Sequence, residues 1–112
     1  MEVTSTQIEN VVVVALNGRL DSNTYRKFED DLLGIIDHGN KHVLLDFSQL
    51  DYISSAGLRV LLMAAKRLRP INGKIALCGL MPSIKTVFDI AGFSSVLPIY
   101  ASQEEAVKEM GE

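Results

Sequence analysis

The chain has a single cysteine, Cys78, among 112 residues, so no internal disulfide can form and the fold must rest on its core. A reducing cytoplasm suits such a chain. Cys78 ends the apolar run Ile75-Ala76-Leu77-Cys78 and reads as a small buried hydrophobe rather than a redox sensor. Long apolar runs are missing too. The stretch Val11 to Leu16 is too short to span a bilayer, and Met1 to Thr6 lacks the basic flank and apolar core of an export signal. Membrane insertion and secretion are not expected. An excess of cations is also lacking: the net charge of −3 argues against direct nucleic-acid binding, which draws its affinity from clustered Lys and Arg. Arg59, Lys66, Arg67 and Arg69 are a local exception, read as a solvated helix face with favourable charge near its C-terminus.

The elements of an enzyme are sparse. No Gly-x-x-x-x-Gly-Lys-Ser/Thr or Gly-x-Gly-x-x-Gly loop is present, which excludes a self-sufficient ATP cradle, and no Cys/His cluster has zinc spacing. The two histidines, His38 and His42, flank one turn, and no serine sits in a Gly-x-Ser-x-Gly elbow. Catalysis, cofactors and metals are therefore not expected.

What is present is the alternation of an α/β fold. A 47% hydrophobic content and a length of 112 residues fit one domain, residues 1–112, with an ordinary core. Val3 to Ile8 and Val11 to Leu16 read as an antiparallel pair turning at Glu9-Asn10, after which Gly18 opens a loop. Tyr25, Phe28, Leu32, Ile35 and Ile36 recur at helical spacing, predicting a helix over about 23–37, capped by Asp21 or Ser22. Val43 to Phe47 is a third strand. Ser55 to Arg69 is a second helix stopped by Pro70, with Leu58, Leu61, Leu62, Ala65 and Leu68 inward. Lys74 to Cys78 is a fourth strand. Pro82 then starts a helix with the stripe Ile84, Val87, Phe88 and Ala91, ended by Gly92. Val96 to Ile99 is a short strand pushed to an edge by Pro98, and Ser102 with Glu105 caps a last helix to Met110. The expected sheet is mixed and mostly parallel, of four to five strands covered by about four helices.

The most informative window is Asp51 to Leu62, where two hydroxyls stand between a strand and an amphipathic helix. If Ser54 is the N-cap, Ile53 and Leu58 take the two positions of a hydrophobic staple. Ser55 then falls on the first helical turn with its hydroxyl toward solvent. Asp21 and Asp46 close predicted strands or their loops on the same side of the sheet and are read either as turn and cap carboxylates or as parts of one surface with Ser55.

That window, with Gly18-Arg19-Leu20-Asp21 and Val43 to Ser48, resembles the STAS domain family, in particular its free-standing anti-sigma factor antagonists. The resemblance spans nearly the whole chain. Members typically carry Asp-Ser-Ser-Gly-Leu where this chain has Ser54-Ser55-Ala56-Gly57-Leu58, so Ser54 replaces the aspartate and Ala56 the second serine. The resemblance implies that Ser55 is the phosphorylated serine. It also implies that Gly18, Arg19, Leu20, Asp21, Ser54, Ser55, Ala56, Gly57 and Leu58 contribute to a partner-facing surface. The implied partners are a serine kinase and anti-sigma factor with a GHKL-type ATPase fold, bound when the chain is unphosphorylated, and a serine phosphatase. A competing reading is an unmodified interaction or ligand-sensing subunit of a transporter or stress-signalling assembly; a third, less compatible with the missing elbow, is a small serine hydrolase.

Overall fold

The computed structural model describes residues 1–111. Strands β1 (Glu2–Ile8), β2 (Val11–Leu20), β3 (His42–Ile53), β4 (Lys74–Cys78) and β5 (Ile99–Tyr100) form one sheet in that same order. Only the β1–β2 pair is antiparallel, closed at Glu9-Asn10 with Glu9 at a φ of 56°; the β2–β3, β3–β4 and β4–β5 pairs are parallel. The helices are α1 (Tyr25–Asp37), α2 (Ser55–Leu68), α3 (Pro82–Ala91) and α4 (Gln103–Met110). None of them is long and apolar enough to cross a membrane.

Alternation along the strands sends side chains to two unequal cores. Val12, Val14, Val43 and Leu45 face α1, α2 and α3, meeting Phe28, Leu32, Val60, Leu61 and Phe88. Val11, Val13, Leu44, Ala76 and Cys78 face the other way, and α4 covers them with Ala106, Val107 and Met110. Val11 to Val14 are all buried, as a strand covered on both faces requires.

Several predicted bounds shift for physical reasons. β2 does not end in a loop at Gly18 but continues to Leu20, because its pairing with β3 resumes after register shifts at Ala15/Asn17 and Gly18/Arg19. β3 likewise runs past Phe47 to Ile53, with Leu50 and Ile53 inward and Ser48, Gln49, Asp51 and Tyr52 exposed. The N-cap position of α1 is Thr24, not Asp21 or Ser22, and its side chain does not cap the helix, since Thr24 Oγ1 donates instead to the Arg19 carbonyl at 2.8 Å. On α2 the buried stripe is Gly57, Val60, Leu61, Ala64 and Leu68, leaving Leu58, Leu62 and Ala65 half-buried at its margins. That helix is apolar nearly all round, so its periodicity leaves the rotation open. On α3 Ile84 and Phe88 are buried while Val87 and Ala91 are exposed. The last strand is Ile99–Tyr100 rather than Val96–Ile99, and a short 3-10 turn, Phe93–Ser95, precedes it.

Candidate functional site

The ends of β2 and β3 and the start of α2 converge. Leu20 lies opposite Ile53 in the parallel ladder, and the next residue, Ser54, donates its backbone N–H to the Leu20 carbonyl at 2.8 Å. Ser54 stays extended, with φ −92° and ψ 172°, and its Oγ accepts the Gly57 N–H at 3.2 Å. This is the predicted N-cap. Its carbonyl accepts the Leu58 N–H at 3.0 Å, which starts the helical ladder. Ile53 and Leu58 join the same apolar cluster, as a staple would. Ser55 is therefore the first residue of α2, and it is exposed.

Gly57 fixes how closely α2 seats on the sheet. A Cβ there would lie 2.7 Å from Leu20 Cγ and 3.0 Å from Ile53 Cγ1. Both neighbours are interior side chains, so only glycine lets the helix start approach this far.

The β2–α1 loop is tied by its own side chains. Asp21 accepts the Asn23 N–H at 2.9 Å, its backbone N–H donates to Thr24 Oγ1 at 2.9 Å, and its carboxylate lies 3.7 Å from Arg19 Nε. The Asn23 amide, with the Thr24 hydroxyl and Arg19 adding to it against some desolvation, holds the Asp21 carboxyl below the usual range. The loop ties made by this carboxylate are thus complete above its ordinary pKa and are lost as the pH falls through the lowered one. Gly18, still within β2, takes a φ of 119° at the register shift that precedes Arg19. The Arg19 guanidinium lies 4.3 Å over the ring of Tyr52, its ladder partner on β3, joining the two segments by a cation–π contact.

All nine residues from Gly18 to Asp21 and from Ser54 to Leu58 thus lie at one end of the sheet. Arg19 and Ser55 are exposed, Gly18, Asp21, Ser54, Ala56 and Leu58 are half-buried, and Leu20 and Gly57 are buried and shape the surface from beneath. Asp46 does not join them. Its Oδ2 accepts from Gln103 of α4 at 3.3 Å and its Oδ1 from the Ser48 N–H at 2.9 Å, so it steadies the irregular stretch of β3 at the register shift with β2, beside the start of α4. Periodicity placed it on the same side because the extra length of β3 was not visible. Two contributors were missed, Tyr52 and Thr24. Tyr52 is 41% exposed, and its signal was an aromatic at an outward strand position; Thr24 carried the hydroxyl-turn chemistry of a short polar loop.

Among the described residues, neither histidine stands at the Ser55 end of the sheet. His38 caps the C-terminus of α1, with Nδ1 2.7 Å from the Gly34 carbonyl oxygen, and His42 opens β3, at the end of that strand remote from Ser55. Among the described residues no group of three or more His, Cys, Asp or Glu could hold a metal ion. Cys78 is buried, and desolvation first, with the Asp46 charge second, pushes its thiol up to about 12.

Comparison with known proteins agrees with this architecture. BtrV of Bordetella bronchiseptica, named as a candidate anti-sigma factor antagonist, is 42% identical over 106 residues, covering 95% of this chain and 91% of BtrV. A Thermotoga maritima protein, also named as a candidate anti-sigma factor antagonist, has a crystal structure that superposes with a TM-score of 0.94 at 20% identity, covering 98% of this chain and 95% of that one. The phosphorylated form of the Bacillus cell-fate determinant SpoIIAA superposes with a TM-score of 0.75 at 22% identity, covering 96% of this chain and 98% of SpoIIAA. At such identities the two structures speak for the fold alone. The STAS domain family matches residues 2–106, from the first strand into the last helix, and this chain belongs to that family.

Proposed function

We propose that this chain is an anti-sigma factor antagonist that holds a GHKL-type serine kinase and anti-sigma factor while Ser55 is free, and releases it when Ser55 carries phosphate. The observation that carries this reading is the exposed Ser55 at the first position of α2, beside a Ser54 whose oxygen already caps the helix. The likeness to BtrV, named as a candidate anti-sigma factor antagonist, supports an anti-sigma factor as the partner. The chain contributes no catalytic group; the kinase supplies ATP and the base. The Ser55 Oγ forms the new bond to the γ-phosphorus, the bond to ADP breaks, and the hydroxyl proton leaves to the base. A phosphatase in the same cytoplasm reverses the change by hydrolysis.

Phosphate brings a charge of roughly −1.5 to −2 to a helix N-terminus, where free amides and the helix dipole favour it by about 0.3–1 kcal/mol. The fold is expected to persist. What changes is docking. An interface that accepted a neutral hydroxyl must now desolvate a dianion on a surface that already carries the Asp21 carboxylate, and a penalty of ~3 kcal/mol weakens binding about a hundredfold. On this reading Arg19, Tyr52 and Asp21 form the polar and aromatic part of the partner-facing surface, and Leu20 and Gly57 set how α2 seats beneath it.

Incubation with the partner kinase and ATP, followed by intact-mass analysis, is expected to show one added phosphoryl group on the wild type and on Ser54→Ala, and none on Ser55→Ala. Ser55→Asp is expected to melt within a few degrees of the wild type and to lose kinase binding. Transfer to Ser54, or full binding by Ser55→Asp, would overturn the reading.

A further inference from the structure

A second surface lies away from Ser55, where β4 outruns its neighbour. The β4–β5 ladder contains two pairs, Leu77 opposite Ile99 and Cys78 opposite Tyr100. Leu77 donates its N–H to the Pro98 carbonyl at 2.9 Å, so by the alternation of a parallel strand the N–H and C=O of Ile75 point the same way. In a continued ladder Ile75 would face residue 97, and its carbonyl would accept from the N–H of residue 98. That residue is proline and has no N–H. Among the described residues Ile75 has no main-chain partner on this side, although it is only 6% exposed. A stretch of sheet edge whose N–H and C=O have no partner within the chain is a template on which another strand can pair.

The space beside Ile75 is open. A groove of about 540 Å³ lies there, with Val96, Pro98, Tyr100 and Met110 as apolar walls and Arg69 and Lys74 as cations on its rim. It adjoins a second hollow of about 410 Å³ along α2, which shares Arg69 and Val96 with it and adds Arg59 and Lys66. Four cations therefore follow one path on a chain whose net charge is −3, with Glu109 as the acidic residue lining the lower groove. Local positive potential over an apolar floor favours a ligand bearing both carboxylates and aliphatic side chains.

We propose that this groove receives an extended acidic segment of a partner protein, which pairs its main chain with Ile75 in the place a longer β5 would occupy. Such an addition satisfies the Ile75 N–H and C=O together, while alternate side chains of the segment meet the apolar walls and the basic rim. The groove shares no residue with the Ser55 surface, and only Arg59, at the far end of the cationic path, comes within one helical turn of Ser55. It stands or falls apart from the phosphorylation reading.

The test uses the full 15N-labelled chain and a synthetic hexapeptide of alternating glutamate and valine, compared with the same peptide N-methylated at alternate residues. The expected result is a shifted Ile75 amide resonance whose solvent exchange slows by about tenfold or more with the first peptide alone. Pro98→Val restores the missing N–H, so β5 can extend along β4 and close the site. It is expected to keep or raise Tm and to weaken peptide binding by about tenfold or more. Arg69→Glu combined with Lys74→Glu is expected to weaken binding by a similar factor, and Ser55→Asp to leave it unchanged. An Ile75 amide unmoved at millimolar peptide, an equal response to the N-methylated peptide, or unimpaired binding by folded Pro98→Val would overturn the proposal. So would binding of phosphatidylserine vesicles through the cations with no protection of Ile75, which would make the rim a membrane contact.

Discussion

Ser54 and Ser55 carry the same side chain and occupy opposite situations. The Ser54 oxygen accepts an otherwise orphaned amide, that of Gly57, whereas Ser55 is exposed on the first turn. Ser54→Ala removes the cap, so it is expected to lower stability by about 1 kcal/mol. For a domain of this size that is a Tm drop of roughly 4–8 °C. Ser55→Ala is expected to leave Tm nearly unchanged. Equal melting of the two variants would contradict the cap assignment. This distinction was legible in the sequence because an N-cap demands a short polar side chain just before the apolar stripe, and Ile53 and Leu58 flank Ser54 at the staple positions. The role of Thr24 was not legible, since its hydroxyl turns back to the Arg19 carbonyl, a choice made by the loop's tertiary path.

At the scale of elements, α2 sits where Gly57 allows it to sit. Gly57→Ala would gain about 1 kcal/mol of helix propensity but force a methyl against Leu20 and Ile53, and overpacking an interior of this kind costs about 1–3 kcal/mol. The expected net effect is a lower Tm, checked by thermal melting alongside exchange protection at the Leu20–Ser54 main-chain bond. A higher Tm would mean that the helix start shifts freely. The starts of α2 and α4 and the cores of strands were readable here, that of α1 was not: the α2 N-cap, the Glu9-Asn10 turn and the Ser102 cap all came from local chemistry, and Ser102 Oγ accepts the Glu105 N–H at 3.2 Å. Ends of strands were not. β2 and β3 extend through polar and glycine residues because each supplies the other's hydrogen bonds, and pairing across more than thirty residues leaves little trace in local periodicity. β5 was misplaced for the converse reason: Val96 to Ile99 has strand composition, yet Pro98 cannot donate and only Ile99 and Tyr100 pair.

At the scale of the whole molecule, the sheet is covered unequally, by three helices on one face and by α4 alone on the other, with Cys78 beneath it. Its thiol links overall stability to alkaline pH. Below the ordinary value near 9 both folded and unfolded chains keep the proton; above it the unfolded chain loses it while the folded chain retains it to about 12. Stability is therefore expected to fall across that window by up to about 1.4 kcal/mol per pH unit from this group. Urea unfolding at rising pH should show the gap between wild type and Cys78→Ala narrowing; parallel curves would remove Cys78 as the cause. The convergence of Gly18–Asp21 with Ser54–Leu58 also belongs to this scale, because the Leu20–Ile53 register that creates it is a property of the assembled sheet. That register has a further consequence for signalling. Both halves of the display hang from β2 and β3, two neighbouring interior strands, so on the proposed reading there is no moving part between mark and reader. Memory here is an ester, and its lifetime belongs to the enzymes that write and erase it rather than to any relaxation of the protein.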